Sequence, residues 1–533
     1  MDARRARLHN ADGAAHASRD GASNAMDRCD LQPPLCIAAL QQQLGEVTGR
    51  AVRCVQTHIS WVLLDGERAW KIKKPVRLGF VDFGTLDARR RACVDELRLN
   101  RRLAPTLYLD VVPIRGSAAA PHFGGAGTAI DYAVCMRQFA DSALLGRQVA
   151  DGTIDGATID RLAQRLGSFH AQAPRVVCRD ADAEAQRVVQ ATAQVLATLA
   201  GHGGDARLPE LAAWCREEAT RLRPLFAARA RRGWVREGHG DLHLDNLIDF
   251  GGDVTAFDCV EFDAGLRRID IQADFAFVTM DLHAHGRADL AWRALDRWLE
   301  VTGDFAGMAL HRYYAVYRAL VRAMVSVLGP AAGNIDHVGV ACALRDARDP
   351  RLLLMHGVSG SGKSVVARQL VQRVGAVCLR SDVERKRLLG LRALQSSAEL
   401  DPALVYGAAM SRRTDARLRA AAAVVLRSGY PVIVDATFLR AAPRAALRAL
   451  ARALRVPFTI VDCSAPPALL RARVAARLRR GDDASEADCA VLERQLAQQQ
   501  PLDAAERDAC IAVDTARRVP DVAEIAARWR AMR

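Results

Sequence analysis

Gly357-Val358-Ser359-Gly360-Ser361-Gly362-Lys363-Ser364 has residue types and spacing suited to gripping a phosphate. In Gly-x-x-x-x-Gly-Lys-Ser the glycines free backbone N–H groups to surround an anion, the lysine adds a compact charge and the serine a metal-binding hydroxyl. The pattern alone is common, but its surroundings sharpen it. Arg351-Leu352-Leu353-Leu354-Met355-His356 precedes it as a short apolar run suited to a buried parallel strand, and Val365, Val366, Leu370 and Val371 follow at helical spacing. Strand, glycine loop and helix in that order point the helix N-terminus at phosphate. Gly357, Ser359, Gly360, Ser361 and Gly362 are therefore expected to cradle ATP, Lys363 to reach its β- and γ-phosphates, and Ser364 to hold Mg²⁺.

A second cluster is His239-Gly240-Asp241-Leu242-His243-Leu244-Asp245-Asn246. Phosphoryl transfer to a hydroxyl needs a carboxylate beside the acceptor and oxygen ligands for Mg²⁺. Asp241 and Asn246 stand five apart, the spacing of base and metal ligand in a kinase catalytic loop. Leu247–Phe250 and Val254–Phe257 flank Gly251-Gly252-Asp253 as a hairpin would, and the second strand delivers Asp258. Asp241 is the expected base, and Asn246 and Asp258 the expected metal ligands. Upstream, Ala69-Trp70-Lys71-Ile72-Lys73 alternates like a strand. Lys71 and Lys73 share a face, so spacing cannot separate them; Lys71 is preferred for the ATP phosphates, with Glu96 as its partner. Met136-Arg137-Gln138-Phe139 falls where a hinge would meet adenine.

These residues need two scaffolds. Ala376–Asp382, Tyr430–Thr437 and Pro457–Cys463 read as strands separated by Ala/Arg-rich helical stretches, which implies a doubly wound parallel sheet with ligands beyond its carboxyl edge. Asp382 and Asp435 fall on that edge. The expected organisation is a leader over 1–30 without apolar period, one domain over 31–335, a linker over 336–349, and a second domain over 350–533. The two domains are expected to hold separate cores. Met26 is an alternative start.

Composition limits the classes. A chain of 533 residues suits two domains. Thirteen cysteines without a Cys-x-x-Cys pair fit a reducing compartment. No signal-like h-region and no run of about 18 apolar residues is present, so the expectation is a cytoplasmic protein without a membrane partner. The net charge of +14 is dispersed arginine, without a basic run interleaved with aromatics, and does not call for nucleic acid. Lysine is confined to Lys71, Lys73, Lys74, Lys363 and Lys386, so three of the five fall in the short segment before Pro75.

Residues 350–533 resemble the small P-loop kinases that include polynucleotide kinase, gluconate kinase and the zeta-toxin kinases. Asp382-Val383-Glu384-Arg385 matches their Asp-x-x-Arg, which implies Asp382 as base for the acceptor and Arg385 on a substrate phosphate. Asp435-Ala436-Thr437 matches a segment lying near the acceptor. Arg471, Arg473, Arg477, Arg479 and Arg480 fall where such kinases carry a lid over the phosphates. From the residues alone, Ser381 or Asp382 could equally be a helix N-cap.

Residues 35–330 resemble the aminoglycoside phosphotransferase family, with choline and homoserine kinases, whose mark is His-Gly-Asp-x-x-x-x-Asn. In Ile269–Ala276 the resemblance implies that Asp270 and Asp274 brace the loop. Two features depart from that family. Thr57-His58-Ile59-Ser60-Trp61 replaces the glycine-rich loop, and helices from about 287 to 328 mix Asp289, Asp296 and Glu300 with Arg287, Arg293, Arg297, Arg312, Arg318 and Arg322. An acceptor that is neutral or anionic suits that balance better than an aminoglycoside. As a whole, with Lys71–Pro75 and Leu99–Pro105, the chain resembles bacterial fusion proteins described as bifunctional aminoglycoside phosphotransferase-like/ATP-binding proteins. The implied fold is a protein-kinase-like domain followed by a P-loop NTPase domain. The implied activity is transfer of the ATP γ-phosphoryl to a hydroxyl of a small molecule. A regulatory ATPase or nucleotide sensor fused to a binding module, and nucleic-acid end repair, are the other readings.

Overall fold

Period-two patterning builds the first sheet of the computed structural model, which describes residues 35–78, 81–203, 205–328, 335–516 and 521–532. The expected leader lies outside the described residues. Strands β1 (Arg53–Gln56), β2 (Ser60–Leu64), β3 (Arg68–Lys73), β4 (Tyr108–Gly116), β5 (Pro121–Phe123) and β6 (Asp131–Arg137) pair antiparallel in the order β1-β2-β3-β6-β4-β5. Helix α1 (Leu86–Asn100) covers one face; the Thr85 side chain caps it by accepting from the Ala88 N–H, and Asp87 sits in its positive first turn. Trp70 and Ile72 of β3 point into the opposite apolar cluster, so Lys71 and Lys73 face α1.

A helical lobe follows. Helices α2 (Gly156–Gln172), α3 (Ala181–His202) and α4 (Leu208–Arg231) precede the hairpin β7 (Leu247–Phe250) and β8 (Asp253–Ala256), and α5 (Ile271–Ala284), α6 (Ala288–Thr302) and α7 (Met308–Leu328) come after it. The hairpin turns on Gly251 and Gly252, both with positive φ (62° and 89°), the conformation a tight two-residue turn requires. The segment expected as a linker contains helix α8 (His337–Asp346), capped by Asp336 and packed on α7 through buried Val338 and Ala341. Its apolar residues recur at helical spacing, a signal too short to stand out beside the charged 345–351 stretch. Among the described residues no helix is long and apolar enough to cross a membrane.

The remaining chain forms the parallel sheet that apolar runs predict: β9 (Leu352–His356), β10 (Val377–Arg380), β11 (Val432–Asp435), β12 (Phe458–Ser464) and β13 (Cys510–Asp514), in the order β10-β11-β9-β12-β13. Strand β13 is additional to the sequence reading. Around the sheet lie α9 (Lys363–Leu370), α10 (Ser381–Leu388), α11 (Ala408–Arg427), α12 (Pro467–Arg480) and α13 (Cys489–Gln498). The chain is thus a protein-kinase-like domain followed by a P-loop domain with a parallel, doubly wound sheet.

The cores are not separate. A continuous apolar cluster runs from Trp298 and Tyr313 of the helical lobe to Leu352, Val377, Val432 and Val434 on one face of the parallel sheet. Polar contacts stitch the same junction. The Cys378 N–H on edge strand β10 donates to Asp296 Oδ1 at 2.7 Å, Arg380 pairs with Glu300 at 2.8 Å, and Arg387 donates to the Glu300 carbonyl at 2.6 Å. Burial pushes the Asp296 carboxyl up to about 7. Helix α6 therefore blocks an edge that would otherwise be open to pairing. Residues 350–533 expressed alone, stripped of this cover, are expected to elute as aggregates in size-exclusion chromatography. A monodisperse fragment melting with the full chain would show that the shared core contributes little.

Candidate functional site

Beyond the carboxyl ends of β9, β10 and β11 lies a cavity of about 780 Å³ lined by Ser359, Gly360, Gly362, Lys363, Ser364, Asp382, Arg385, Asp435, Thr437, Arg473 and Arg477. The loop between β9 and α9 is wound so tightly that glycine is obligatory in places. Gly357 has φ 127°, and a Cβ there would lie 2.3 Å from the Cys463 carbonyl oxygen. Lys363 Nζ donates to the Val358 carbonyl at 2.8 Å and lies 3.4 Å from Ser361 Oγ. Burial lowers its pKa against the opposing pull of Asp435. Ser364 stands in the first turn of α9.

Across the cavity, Asp382 Oδ1 accepts from Arg385 at 2.8 Å. Burial favours its neutral form, but Arg385, Ser485 and Arg380 outweigh burial and hold the carboxyl below its ordinary range. Helix α10 starts at Ser381 with Arg380 as N-cap and no side-chain cap, so neither Ser381 nor Asp382 is needed for capping. The Thr437 carbonyl accepts from the Gly357 N–H at 3.2 Å. The arginines of α12 divide. Arg473 spends its donors on Thr515 O (2.7 Å) and Thr515 Oγ1 (2.9 Å), Arg477 donates to the Ala487 carbonyl (2.9 Å), and Arg471 pairs outward with Glu493 (2.7 Å).

The kinase-like half assembles its own cluster. Glu96 of α1 forks between Lys71 Nζ at 2.9 Å and Lys73 Nζ at 2.5 Å. Lys71 also pairs with Asp258, and Lys73 with Glu261. Exposure separates what spacing cannot: the Lys71 and Asp258 side chains are 12% and 41% exposed, whereas Lys73 is sealed at 0%. Burial opposes the charge on Lys71, yet Asp258 and Glu96 hold its pKa well above the ordinary value. Asp258 is one of few non-glycine residues with positive φ (61°), and its N–H donates to Tyr108 Oη at 3.1 Å. A left-handed aspartate costs roughly 1–2 kcal/mol, and such strain gathers at functional sites.

The catalytic-loop candidate is anchored from beneath. Asp274 accepts from the N–H groups of His239 (2.7 Å) and Gly240 (2.9 Å) and from His170 Nε2 (3.1 Å). Asp281 accepts from Leu244 N–H at 2.7 Å. Burial keeps His239 neutral; its Nε2–H donates to Phe257 O at 2.9 Å while Nδ1 accepts from Asp241 N–H at 3.3 Å. Asp274 thus braces the loop as expected. Asp270 does not: it pairs with Arg229 at 2.6 Å, and Arg229 binds Asp304 as well. Asn246 Nδ2 donates to both Asp241 O and Asp241 Oδ2 at 3.0 Å, which leaves its Oδ1 free to accept. Phe257 N–H donates to Asn246 O at 3.0 Å, which brings Asp258 alongside. The Asp258 carboxylate and the Asn246 amide oxygen are hard oxygen donors of the kind that fits a divalent cation such as Mg²⁺.

Several positioning residues lie outside the sequence reading. Asn100 Oδ1 accepts from Cys259 N–H at 2.9 Å, and Arg102 donates to Glu237 O (2.7 Å) and Gly238 O (2.9 Å), so the 99–105 segment ties α1 to the loop. Gln495 Oε1 accepts from the Ser359 N–H at 2.7 Å. Arg380, adjacent in register to Asp435, pairs with Asp483 at 2.9 Å. Only the 99–105 segment gave any warning in the sequence.

Residues 352–502 match the family model of an AAA domain. The chain is 32% identical over 450 residues to "Uncharacterized protein Rv2004c" of Mycobacterium tuberculosis, covering 82% of this chain and 88% of that one. Among solved structures it is similar to a gluconokinase from Sinorhizobium meliloti, at 24% identity over 34% of this chain and 91% of that one, with a TM-score of 0.23. It is also similar to a choline/ethanolamine kinase family protein from Mesorhizobium loti, at 10% identity over 58% and 92% of the two chains, with a TM-score of 0.31.

Proposed function

The chain belongs to the same family as Rv2004c of Mycobacterium tuberculosis, and from that premise we propose that it is an ATP-dependent phosphotransferase with two MgATP sites, one in residues 31–335 and one in residues 350–533. Each site passes the γ-phosphoryl group to a hydroxyl of a small molecule. The chain acts in the cytoplasm, where its free cysteines stay reduced. The partners are ATP and a small-molecule acceptor, with nucleic-acid end repair the less favoured reading, and an aminoglycoside is disfavoured by the arginines of α6 and α7.

The observation that carries the reading is the Lys71–Glu96–Asp258 chain standing over Asp241 and Asn246. Lys71, held charged by Glu96, binds the α- and β-phosphates. Asn246 and Asp258 hold Mg²⁺, which would neutralise phosphate charge when bound. Asp241 orients the acceptor hydroxyl and takes its proton as the new P–O bond forms. In the second site Lys363 and the 357–364 backbone grip the phosphates and Ser364 holds the metal. Asp382 receives the acceptor proton, Arg385, Asp435 and Thr437 line the acceptor side, and Arg473 and Arg477 flank the phosphates.

Incubating the full chain with γ-labelled ATP and a pooled small-molecule extract is expected to label a metabolite, less so with Asp241→Asn or Asp382→Ala. Label released only as inorganic phosphate would instead indicate a regulatory ATPase.

A further inference from the structure

A second cavity, of about 110 Å³, lies between α3, α4, α7 and the 265–273 segment. Its walls include Arg187, Phe226, Leu266, Tyr314, Tyr317 and Arg318. Leu266 fixes its position: a Cβ on Gly240, next to Asp241, would lie 2.8 Å from the Leu266 carbonyl oxygen. Leu266 therefore borders both the cavity and the loop that carries Asp241, and the charge of Arg318 helps to lower the pKa of the Asp241 carboxyl.

Arg318 is the unusual group here. It is 7% exposed, its Nε donates to the Ala273 carbonyl at 3.0 Å, and its guanidinium lies over Phe277 at 4.8 Å and Tyr317 at 5.7 Å. No carboxylate lies within ion-pair distance of it among the described residues. The contrast with Arg229 in the same lobe is sharp, since Arg229 is neutralised by Asp270 and Asp304. Asp270 also lines the cavity but is already committed to Arg229, and Arg187 pairs with Glu184. A buried cation is costly unless an anion meets it, so an unpaired one lining a cavity marks a place for a ligand anion. Arginine suits that task because its fork binds carboxylate or phosphate through two parallel hydrogen bonds. Phe226, Tyr314 and Tyr317 supply the apolar body of the pocket.

We propose that this cavity is the acceptor pocket of the N-terminal site and that it takes a small hydroxylated oxyanion, with Arg318 binding the carboxylate or phosphate group and so setting specificity. The proposal rests on the phosphotransferase reading of that site. The acceptor oxygen bonds to the γ-phosphorus, its proton passes to Asp241, and the broken β–γ bridge leaves its electron pair on ADP.

Calorimetry on the full chain tests it. The Lys363→Ala background leaves MgADP binding to report on the N-terminal site, and saturating MgADP then fills the nucleotide phosphate positions. Phenyl phosphate and benzoate serve as anionic probes, benzyl alcohol as a neutral probe and choline as a cationic one. The anions are expected to bind, and Arg318→Gln to weaken them roughly tenfold, as expected for a lost charge-assisted contact. MgADP affinity should be unchanged, and Arg318→Lys should recover part of the loss. Binding of choline in preference to the anions, or anion binding indifferent to Arg318→Gln, overturns the proposal. Absence of MgADP binding in the Lys363→Ala background overturns the phosphotransferase reading of the site, and this proposal with it.

Discussion

Asp241→Asn is expected to slow phosphoryl transfer at the N-terminal site by roughly 10²–10⁴ while leaving MgATP affinity near that of the parent. The substitution preserves shape, and a side-chain oxygen can still accept from Asn246 Nδ2, so the loss falls on orientation and proton acceptance. Asp258→Asn should behave differently. It removes a charge that pairs with Lys71 and a ligand of the metal, so MgATP binding should weaken together with turnover. Thermal shift at matched, subsaturating ATP, with and without Mg²⁺, separates the two. Equal stabilisation of both variants and parent rules out the metal role of Asp258. Loss of the Mg²⁺-dependent shift in Asp241→Asn alone reverses the two roles.

The same carboxylate has a signature in pH. Burial disfavours its charge, but His243, 3.4 Å away, pulls its pKa down to about 2. The lowered carboxyl contributes stability above the ordinary aspartate range, and that contribution is lost as pH falls through about 2. His243 shifts the other way, upward from 6.5 despite burial, because of Asp241. Its contribution is complete below about 6.5 and disappears as pH rises through the raised value. The pair therefore stabilises the fold most between those limits, and Asp241→Asn should flatten the stability profile on the alkaline side. An unchanged profile there would mean that the pair is too well solvated to matter.

Lys363→Ala is expected to cut turnover at the C-terminal site by roughly 10²–10³, the scale of a lost electrostatic contact to a transferring group. Because two sites consume ATP, the measurement belongs in an Asp241→Asn background, where the remaining turnover reports on the P-loop. The fold should tolerate the change, since Lys363 donates only to the loop's own Val358 carbonyl and Ser361 hydroxyl. Undiminished turnover in the double variant, with an unchanged melting temperature, would remove Lys363 from the phosphate site.

What the sequence by itself determined was local. Gly357 to Ser364, Asp241 with Asn246, and Asp382 with Arg385 each lie within one loop or one helical turn, where spacing dictates which groups face a common point. Apolar runs likewise sufficed for β9, β10, β11 and β12, because a strand buried on both faces must be apolar throughout. Tertiary structure decided whatever depends on partners far along the chain. Lys71 and Lys73 are equivalent in a strand, and only Asp258 and Glu261, some 190 residues on, distinguish them. Asp270 and Asp274 sit one helical turn apart, yet Arg229 claims the first and the His239 loop the second. Arg318 reads as one more surface arginine until packing removes it from water with no carboxylate of the described residues in ion-pair distance. The shared core was hidden for the same reason: an apolar face records that it must be covered, and only the fold shows that α6 and its neighbours cover it.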